Sequence, residues 1–176
     1  MKLINETKVP DQLLIDLLID AARSLGMRIR TTNVVVKIFN KRVPYGTMGT
    51  AFECYCVRWI KGSRRWIKTD KGAFRAGLCN TTDYLWNVER LFRTTRHEWC
   101  HIHDYQATEN LSFSWSQTSM INRRMAYNRR PEEIRVNDYI EGAENKGLNK
   151  ELAYESILNL AVWLEENNKH VVKHTK

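Results

Sequence analysis

The sequence predicts an α+β fold in which a small, mostly antiparallel sheet packs against one long helix that carries the candidate active site. Two runs rich in β-branched and aromatic residues, 34–39 and 51–60, indicate the sheet. The long helix is indicated by residues 81–105, where apolar side chains recur every three to four positions. The chain has no repeat and no low-complexity linker, so we expect a single domain over residues 1–176.

The N-terminal part is predicted to be a tail followed by a helix over residues 11–25. Pro10 before this helix and Gly26 after it are typical start and stop signals. Apolar residues cover more than one face of the helix, which is typical of a deeply packed helix. A strand is predicted over residues 33–39, followed by a turn at 43–46.

A hairpin is predicted next, in which residues 51–60 pair with residues 65–68 across the turn Lys61-Gly62-Ser63. Residues 69–80 contain two glycines and are predicted to form a loop. We expect Thr81 or Thr82 to cap the long helix that follows.

Two more helices are predicted after the long one. The first covers residues 131–141, with Pro131 at its first position, and the second covers residues 149–166. The polar stretch 106–122 is predicted to form a loop beside the site, and the tail 167–176 is expected to fray.

The long helix contains the motif His97-Glu98-x-x-His101. On a helix the two histidines lie one turn apart on the same face, so both imidazoles can reach one metal ion. Glu98 lies about 100° further round the helix, where it can take a proton from a water at the metal's open position. This arrangement is that of metal-assisted hydrolysis, with Zn²⁺ as the expected ion.

The opposite side of the same helix is predicted to be apolar and to face the core. The residues expected there are Leu85, Val88, Phe92 and Trp99, with Ile102 and His103 at the two edges. Asp104 is expected on the side of the two motif histidines. The alternative is that these are two surface histidines without a metal.

A zinc site needs a third protein ligand. His103 is expected on the wrong side of the helix, and His170 and His174 lie in the basic C-terminal tail. Glu132 and Glu133 are better placed, because they start a downstream helix that can present a carboxylate rigidly. Acidic residues in a first helical turn are also favoured by the helix dipole without any metal.

At this point the chain resembles the zincins and, within them, the gluzincins, whose thermolysin-like pattern is His-Glu-x-x-His followed by a helix with a glutamate ligand. The resemblance covers residues 97–137. In that family a polar residue about one turn after the ligand commonly steadies a ligating histidine. Glu133 has Asn137 at that position and Glu132 has Val136, so the resemblance implies Glu133 as the ligand and Glu132 as the alternative.

The resemblance implies a small, single-domain zinc metalloendopeptidase, a hydrolase that cleaves a protein or peptide substrate. A metal-activated water would attack the peptide bond, with Glu98 as general base. The candidates for a residue that stabilises the oxyanion are Tyr105, Tyr127 and Tyr139.

Two other functions fit the same residues. One is a basic zincin of the SprT-like group, which degrades protein bound to DNA and carries a third histidine. The other is a non-catalytic zincin-like binding protein, in which a fourth protein ligand would close the metal site. Cys100 is the nearest spare ligand, although it would have to strain to reach the metal.

The net charge of +8 raises the question of a nucleic-acid partner. Lysine and arginine are concentrated in residues 61–68, 123–124 and 129–130. Such clusters with aromatic residues between them can contact a phosphate backbone, or they can be solvated surfaces.

The composition also bears on the compartment. We expect a cytoplasmic protein without membrane contact, because the chain has no apolar run of membrane-spanning length and no signal-peptide core near its start. Cys54, Cys56, Cys79 and Cys100 are expected to be reduced thiols, since their spacing suggests neither a disulfide nor a zinc ribbon.

Overall fold

The sheet and the helices are described from a computed structural model of the chain. The structure describes residues 1–41, 49–60, 63–79, 81–107, 125–147 and 150–168, and for residues 49–60 and 63–71 it describes the backbone alone. The described strands are β1 (Lys2–Glu6), β2 (Val34–Lys41), β3 (Gly49–Ile60) and β4 (Ser63–Cys79). The described α-helices are α1 (Asp11–Arg23), α2 (Tyr84–Ala107), α3 (Pro131–Asn145) and α4 (Tyr154–Asn168).

The strands form one sheet in the order β1-β2-β4-β3. β1 runs parallel to β2, and β2 runs parallel to β4, whereas β3 and β4 form an antiparallel hairpin. The fold is therefore α+β, but the prediction of a mostly antiparallel sheet is wrong. Helix α1 lies between β1 and β2 in the chain and provides the crossover that a parallel pair of strands requires.

The error in the sheet begins at the N-terminus, where the predicted tail is strand β1. Its five residues are alternately exposed and half-buried, so the strand has only one partly covered face. Lys2 and Glu6 at its two ends are typical of an edge strand. Glu6 also pairs with Lys37 of β2 at 2.7 Å. Such a strand is too short and too polar to be distinguished from a tail by its pattern alone.

A second error concerns residues 69–80, predicted as a loop because of Gly72 and Gly77. Residues up to Cys79 belong to β4, which pairs with β2 in parallel from Gly72 onward. The structure explains Gly72: a Cβ at this position would lie 2.6 Å from Cδ1 of Ile102 on α2. The glycine therefore allows the helix to approach the sheet closely, which is a usual role of glycine within a strand.

The hydrophobic core lies between the sheet and the helices. Helix α1 contributes Leu14, Leu17, Leu18, Ala21 and Ala22, β2 contributes Val34, Val36 and Ile38, and α4 contributes Ile157, Leu160, Ala161 and Leu164. Helix α2 packs against β4, α1, α3 and α4, and is thus the element around which the others are arranged. Within the described residues, no helix has both the length and the apolar character needed to span a bilayer.

Several predictions fall on residues that the structure does not describe. These are the turn at 43–46, the polar stretch 108–122, the basic pair 123–124 and the C-terminal residues 169–176. The side chains of the basic cluster at 61–68 and of Cys54 and Cys56 also lie outside the described part. Cys79 and Cys100 are described, and both are buried.

Candidate metal centre

At the start of helix α2, side chains form hydrogen bonds with backbone N–H and C=O groups. Oδ1 of Asp83 accepts a hydrogen bond from the Trp86 N–H at 3.0 Å. The capping residue is therefore Asp83 and not Thr81 or Thr82. The side chain of Asn87 accepts the N–H of Cys79 at 2.8 Å and donates to the C=O of the same residue. These bonds join the end of β4 to the first turns of the helix.

The back of the helix is anchored in the core by Trp99, which is fully buried. Its indole N–H donates to the C=O of Leu18 on α1 at 3.0 Å, and its ring meets Phe74 of β4 edge-on with centroids 4.9 Å apart. The predicted apolar side is otherwise buried at Val88, Phe92 and Ile102. Leu85 is the exception: it lies in the first turn of α2 and is 48% exposed.

His97 and His101 lie on the opposite side of α2 from Trp99. Their Nε2 atoms are 3.1 Å apart, and their rings meet at an interplanar angle of 79° with centroids 4.8 Å apart. The two ε-nitrogens therefore converge on one point, as the spacing of four residues along a helix predicts. The side chain of His101 is buried, whereas that of His97 is 21% exposed and reaches the surface.

The third group of the site comes from helix α3, which begins at Pro131. Glu133 lies in the first turn of this helix, yet it is buried. Its Oε2 lies 3.0 Å from Nε2 of His97, and its Oε1 lies 3.6 Å from Nε2 of His101. One donor atom from each of these three residues lies within 4.8 Å of the other two.

The three residues are close enough together to hold a metal ion. Zinc–ligand bonds of about 2.0–2.2 Å in a tetrahedral site place neighbouring donor atoms about 3.3 Å apart. The two ε-nitrogens are 3.1 Å apart, Oε2 of Glu133 lies 3.0 Å from that of His97, and the other carboxylate oxygen, Oε1, lies 3.6 Å from that of His101. Two imidazoles and one carboxylate are also a donor set of catalytic zinc sites, and three protein ligands leave the fourth position for water.

Glu98 follows His97 directly, and its side chain is not one of the three that converge. It is only 4% exposed, so its carboxylate is not an ordinary solvated surface group. Its position about 100° from His97 around the helix places it beside the three convergent side chains and not among them.

Cys100 is not part of the convergent group among the described residues. Burial raises the pKa of its thiol to about 12, with the nearby guanidinium of Arg96 acting in the opposite direction and the carboxylates of Asp104 and Glu98 adding to the rise. Among the described residues, the structure therefore gives no indication that Cys100 provides a fourth ligand.

Helix α3 is held against α2 by Asp104, one turn after His101. Asp104 accepts a hydrogen bond from Nε of Arg135 at 2.8 Å and another from the hydroxyl of Tyr139 at 2.7 Å. A second link is formed by buried Arg96 of α2 with Glu144 of α3, at 3.3 Å. These contacts fix the distance between the two helices that supply the three donor groups.

Compared with known protein families, curated proteins and solved structures, the chain matches none of them.

The remaining candidates for site residues are placed elsewhere. Glu132 is buried but is not in the convergent group. Asn137 is exposed, and among the described residues no hydrogen bond joins it to either histidine. The ring of His103 packs edge-on against Tyr139, with centroids 5.4 Å apart, and His103 is not in the convergent group. His170 and His174 lie outside the described residues.

Tyr139 is the one candidate for oxyanion stabilisation whose side chain is described. Its hydroxyl donates to Asp104, so the same proton is not available to a substrate oxygen. Burial and then the hydrogen bond and charge of Asp104 raise the pKa of Tyr139 to about 12, with the nearby Arg135 acting in the opposite direction. The side chains of Tyr105 and Tyr127 lie outside the described part of the chain.

The contacts of Asp104 with Arg135 and Tyr139 are not predicted by the sequence. The sequence shows that Asp104 lies on the histidine side of α2, and Arg135 and Tyr139 are one turn apart on a predicted helix. That spacing allows both to reach one carboxylate. Nothing local in the sequence, however, indicates which carboxylate they bind.

Proposed function

We propose that this chain is a zinc-dependent metallopeptidase of the gluzincin type. His97, His101 and Glu133 hold the metal, and Glu98 is the general base that hydrolyses a peptide bond in a protein or peptide substrate. The observation that carries the proposal is the convergence of a carboxylate from α3 on two imidazoles from α2, beside a buried acid at the motif's second position.

The metal and its three proposed ligands have distinct chemical roles. Zinc bound there would act as a Lewis acid that makes a coordinated water lose its proton near neutral pH. His97 and His101 bind as neutral imidazoles through Nε2, and Glu133 adds the negative charge that partly balances a divalent cation. Because all three are held by helices packed on the core, the site is largely formed before any ion binds.

Glu98 moves the proton. As a carboxylate it accepts a proton from the attacking water, and it then donates that proton to the nitrogen of the departing amine. Its burial keeps bulk water from competing for the proton between these two transfers. His97 and His101 remain neutral throughout, since protonation of either would remove a ligand.

The proposal is tested with Glu98→Gln, which keeps the size of the side chain but cannot accept the proton. A library of proteome-derived peptides is incubated with zinc-loaded wild type, and new termini are identified by mass spectrometry. We expect the variant to bind as much zinc as wild type and to lose at least about 10²-fold in cleavage rate.

Glu89→Gln is the matched control, because Glu89 lies on the same helix and pairs at 3.9 Å with the exposed Arg93. It should cleave the peptides at the wild-type rate. Equal cleavage by Glu98→Gln and wild type would contradict the assignment of the general base.

A further inference from the structure

The outward side of helix α4 carries a row of exposed apolar side chains. Tyr154, Leu158 and Val162 are spaced four residues apart, so they lie along one side of the helix. These residues are 62%, 42% and 44% exposed. Single exposed apolar residues are ordinary on a protein surface, whereas a continuous apolar row marks a surface that binds something. We name this row the α4 stripe.

The opposite side of α4 is already used by the core. Ile157, Leu160 and Leu164 are buried there, where the helix packs against α1 and α2. The helix is therefore apolar on two sides, and the fold of the chain covers one of them. An amphipathic surface helix would be polar on its outer side, so the stripe is not explained by the fold.

The α4 stripe lies in an acidic segment of a basic chain. Residues 151–168 contain four glutamates and no lysine, arginine or histidine, whereas the whole chain has a net charge of +8. Glu166 lies one turn beyond Val162, and Glu155 lies about 100° round the helix from Tyr154. Both glutamates are exposed. Negative charge therefore borders the apolar row.

The acidic border continues into a groove of about 360 Å³ between α4 and α1. Glu155 lines the groove from α4, and Asp16 lines it from α1. Arg23 is the one basic residue among the described residues of the lining, and it pairs with Asp20 at 3.5 Å. The groove thus adds a recess beside the stripe, with carboxylates on both of its walls.

We propose that the α4 stripe and the adjoining groove bind a basic amphipathic helix of a partner protein. The apolar side of that helix covers Leu158 and Val162, and its lysine or arginine side chains pair with Glu155, Glu166 and Asp16. Amphipathic helices bind such surfaces through apolar residues at the helical period, and the flanking charges set the choice of partner. The proposal does not depend on the metal site.

Charge distinguishes this partner from a second copy of the chain. Two copies packed stripe against stripe would bring together two segments with four glutamates each. Like charges placed opposite each other disfavour an interface. A basic helix instead gains attraction from the same glutamates.

The test selects binders to the full chain from a displayed library of helical peptides of about 18 residues, which is five turns. Leucine is fixed at every third or fourth position, and the other positions vary among Lys, Arg, Glu, Gln and Ala. EDTA is present, so a bound metal plays no part. We expect lysine and arginine to be enriched beside the leucines. The overall charge of +8 would by itself select acidic peptides, so basic ones report the acidic face.

The most enriched peptide is then labelled with fluorescein, and its affinity is measured by fluorescence anisotropy. Leu158→Gln/Val162→Gln should bind it at least about tenfold more weakly than wild type, because the apolar contact is lost. Glutamine is a good helix former, so α4 should be retained. The matched control is Met125→Gln/Ile134→Gln, which changes two apolar residues that are 42% and 46% exposed outside α4. It should bind like wild type, and circular dichroism should show that both variants are folded.

Glu155→Gln/Glu166→Gln tests the acidic border. We expect affinity for the peptide to fall by about threefold or more at low salt, with the difference from wild type shrinking as salt is added. Asp138→Asn/Glu141→Gln is the control, because it removes the same charge from two exposed residues of α3. Its affinity should match that of wild type.

Selection of acidic peptides, or of none, would overturn the proposal. Equal affinities of Leu158→Gln/Val162→Gln and its control would also overturn it. Sedimentation velocity of wild type at rising protein concentration tests the second copy. Self-association that Leu158→Gln/Val162→Gln abolishes would show that another copy covers the stripe, and the proposed partner would then be wrong.

Discussion

Glu133 is a buried acidic residue whose carboxylate lies beside two imidazoles. Its carboxylate is buried between two imidazoles, and a buried negative charge needs positive charge beside it. A divalent ion at the centre of the three donor groups supplies that charge, and a proton shared with one imidazole would supply part of it. Zinc binding distinguishes the two possibilities.

The sequence predicts the residues of the motif better than the residues that position them. The spacing of His97 and His101 on a helix is enough to bring their ε-nitrogens together, because a helix repeats every 3.6 residues. Glu133 is predicted from the need for a third ligand and from the resemblance to gluzincins, which favours it over Glu132. The pairing of Asp104 with Arg135 and Tyr139 depends on how two helices pack, and no local spacing specifies it.

Asp104→Asn tests the role of that residue in positioning α3. The variant keeps the shape of the side chain but loses the charge that Arg135 pairs with, so Glu133 should be held less firmly near the two histidines. We expect zinc affinity, measured by competition with a chromophoric chelator, to fall about tenfold while the helical content is unchanged.

Asp20→Asn is the control for Asp104→Asn, because Asp20 pairs with Arg23 on the surface of α1 at 3.5 Å. Its zinc affinity should match that of wild type. If Asp104→Asn also bound zinc as tightly as wild type, the link between α2 and α3 would not contribute to the site.

At the scale of elements, helix α2 is both the centre of the core and the carrier of the motif. Its apolar side is predictable because it repeats with the helical period, and four of the predicted residues, Val88, Phe92, Trp99 and Ile102, are buried. The end of β4 is not predictable in the same way. A glycine in a sequence indicates a turn or a close approach equally well, and at Gly72 it is the approach of Ile102 that requires it.

Gly72→Ala tests this close contact between β4 and α2. The added methyl group would lie 2.6 Å from Cδ1 of Ile102, so that side chain must move. We expect the free energy of unfolding, measured in urea, to fall by about 1–3 kcal/mol. Combining the change with Ile102→Val, which removes that terminal methyl group, should restore part of the loss.

The control is Gly142→Ala within α3, where an added Cβ would meet nothing within 4 Å. Alanine there should increase the free energy of unfolding by about 0.5–1 kcal/mol, because glycine disfavours a helix. If Gly72→Ala were as stable as wild type, the packing of Ile102 against β4 would not require a glycine at this position.

At the scale of the whole molecule, the topology is the part that the sequence predicts least well. The hairpin of β3 and β4 follows from local signals, since its two strands are adjacent in the chain. The parallel pairs join segments that are about 30 residues apart or more, and only the tertiary fold sets their register. The same packing places α3 beside α2 and so completes the group of three donors.

The proposed metal site is tested by the zinc content of three purified proteins: wild type, Glu133→Ala and Glu132→Ala. The two glutamates are neighbours in the same helical turn and both are buried, so they differ chiefly in whether the carboxylate meets the histidines. We expect about one zinc per chain in wild type and in Glu132→Ala, and almost none in Glu133→Ala. Absence of zinc from wild type after zinc is supplied, or equal zinc in the two variants, would contradict the proposed site.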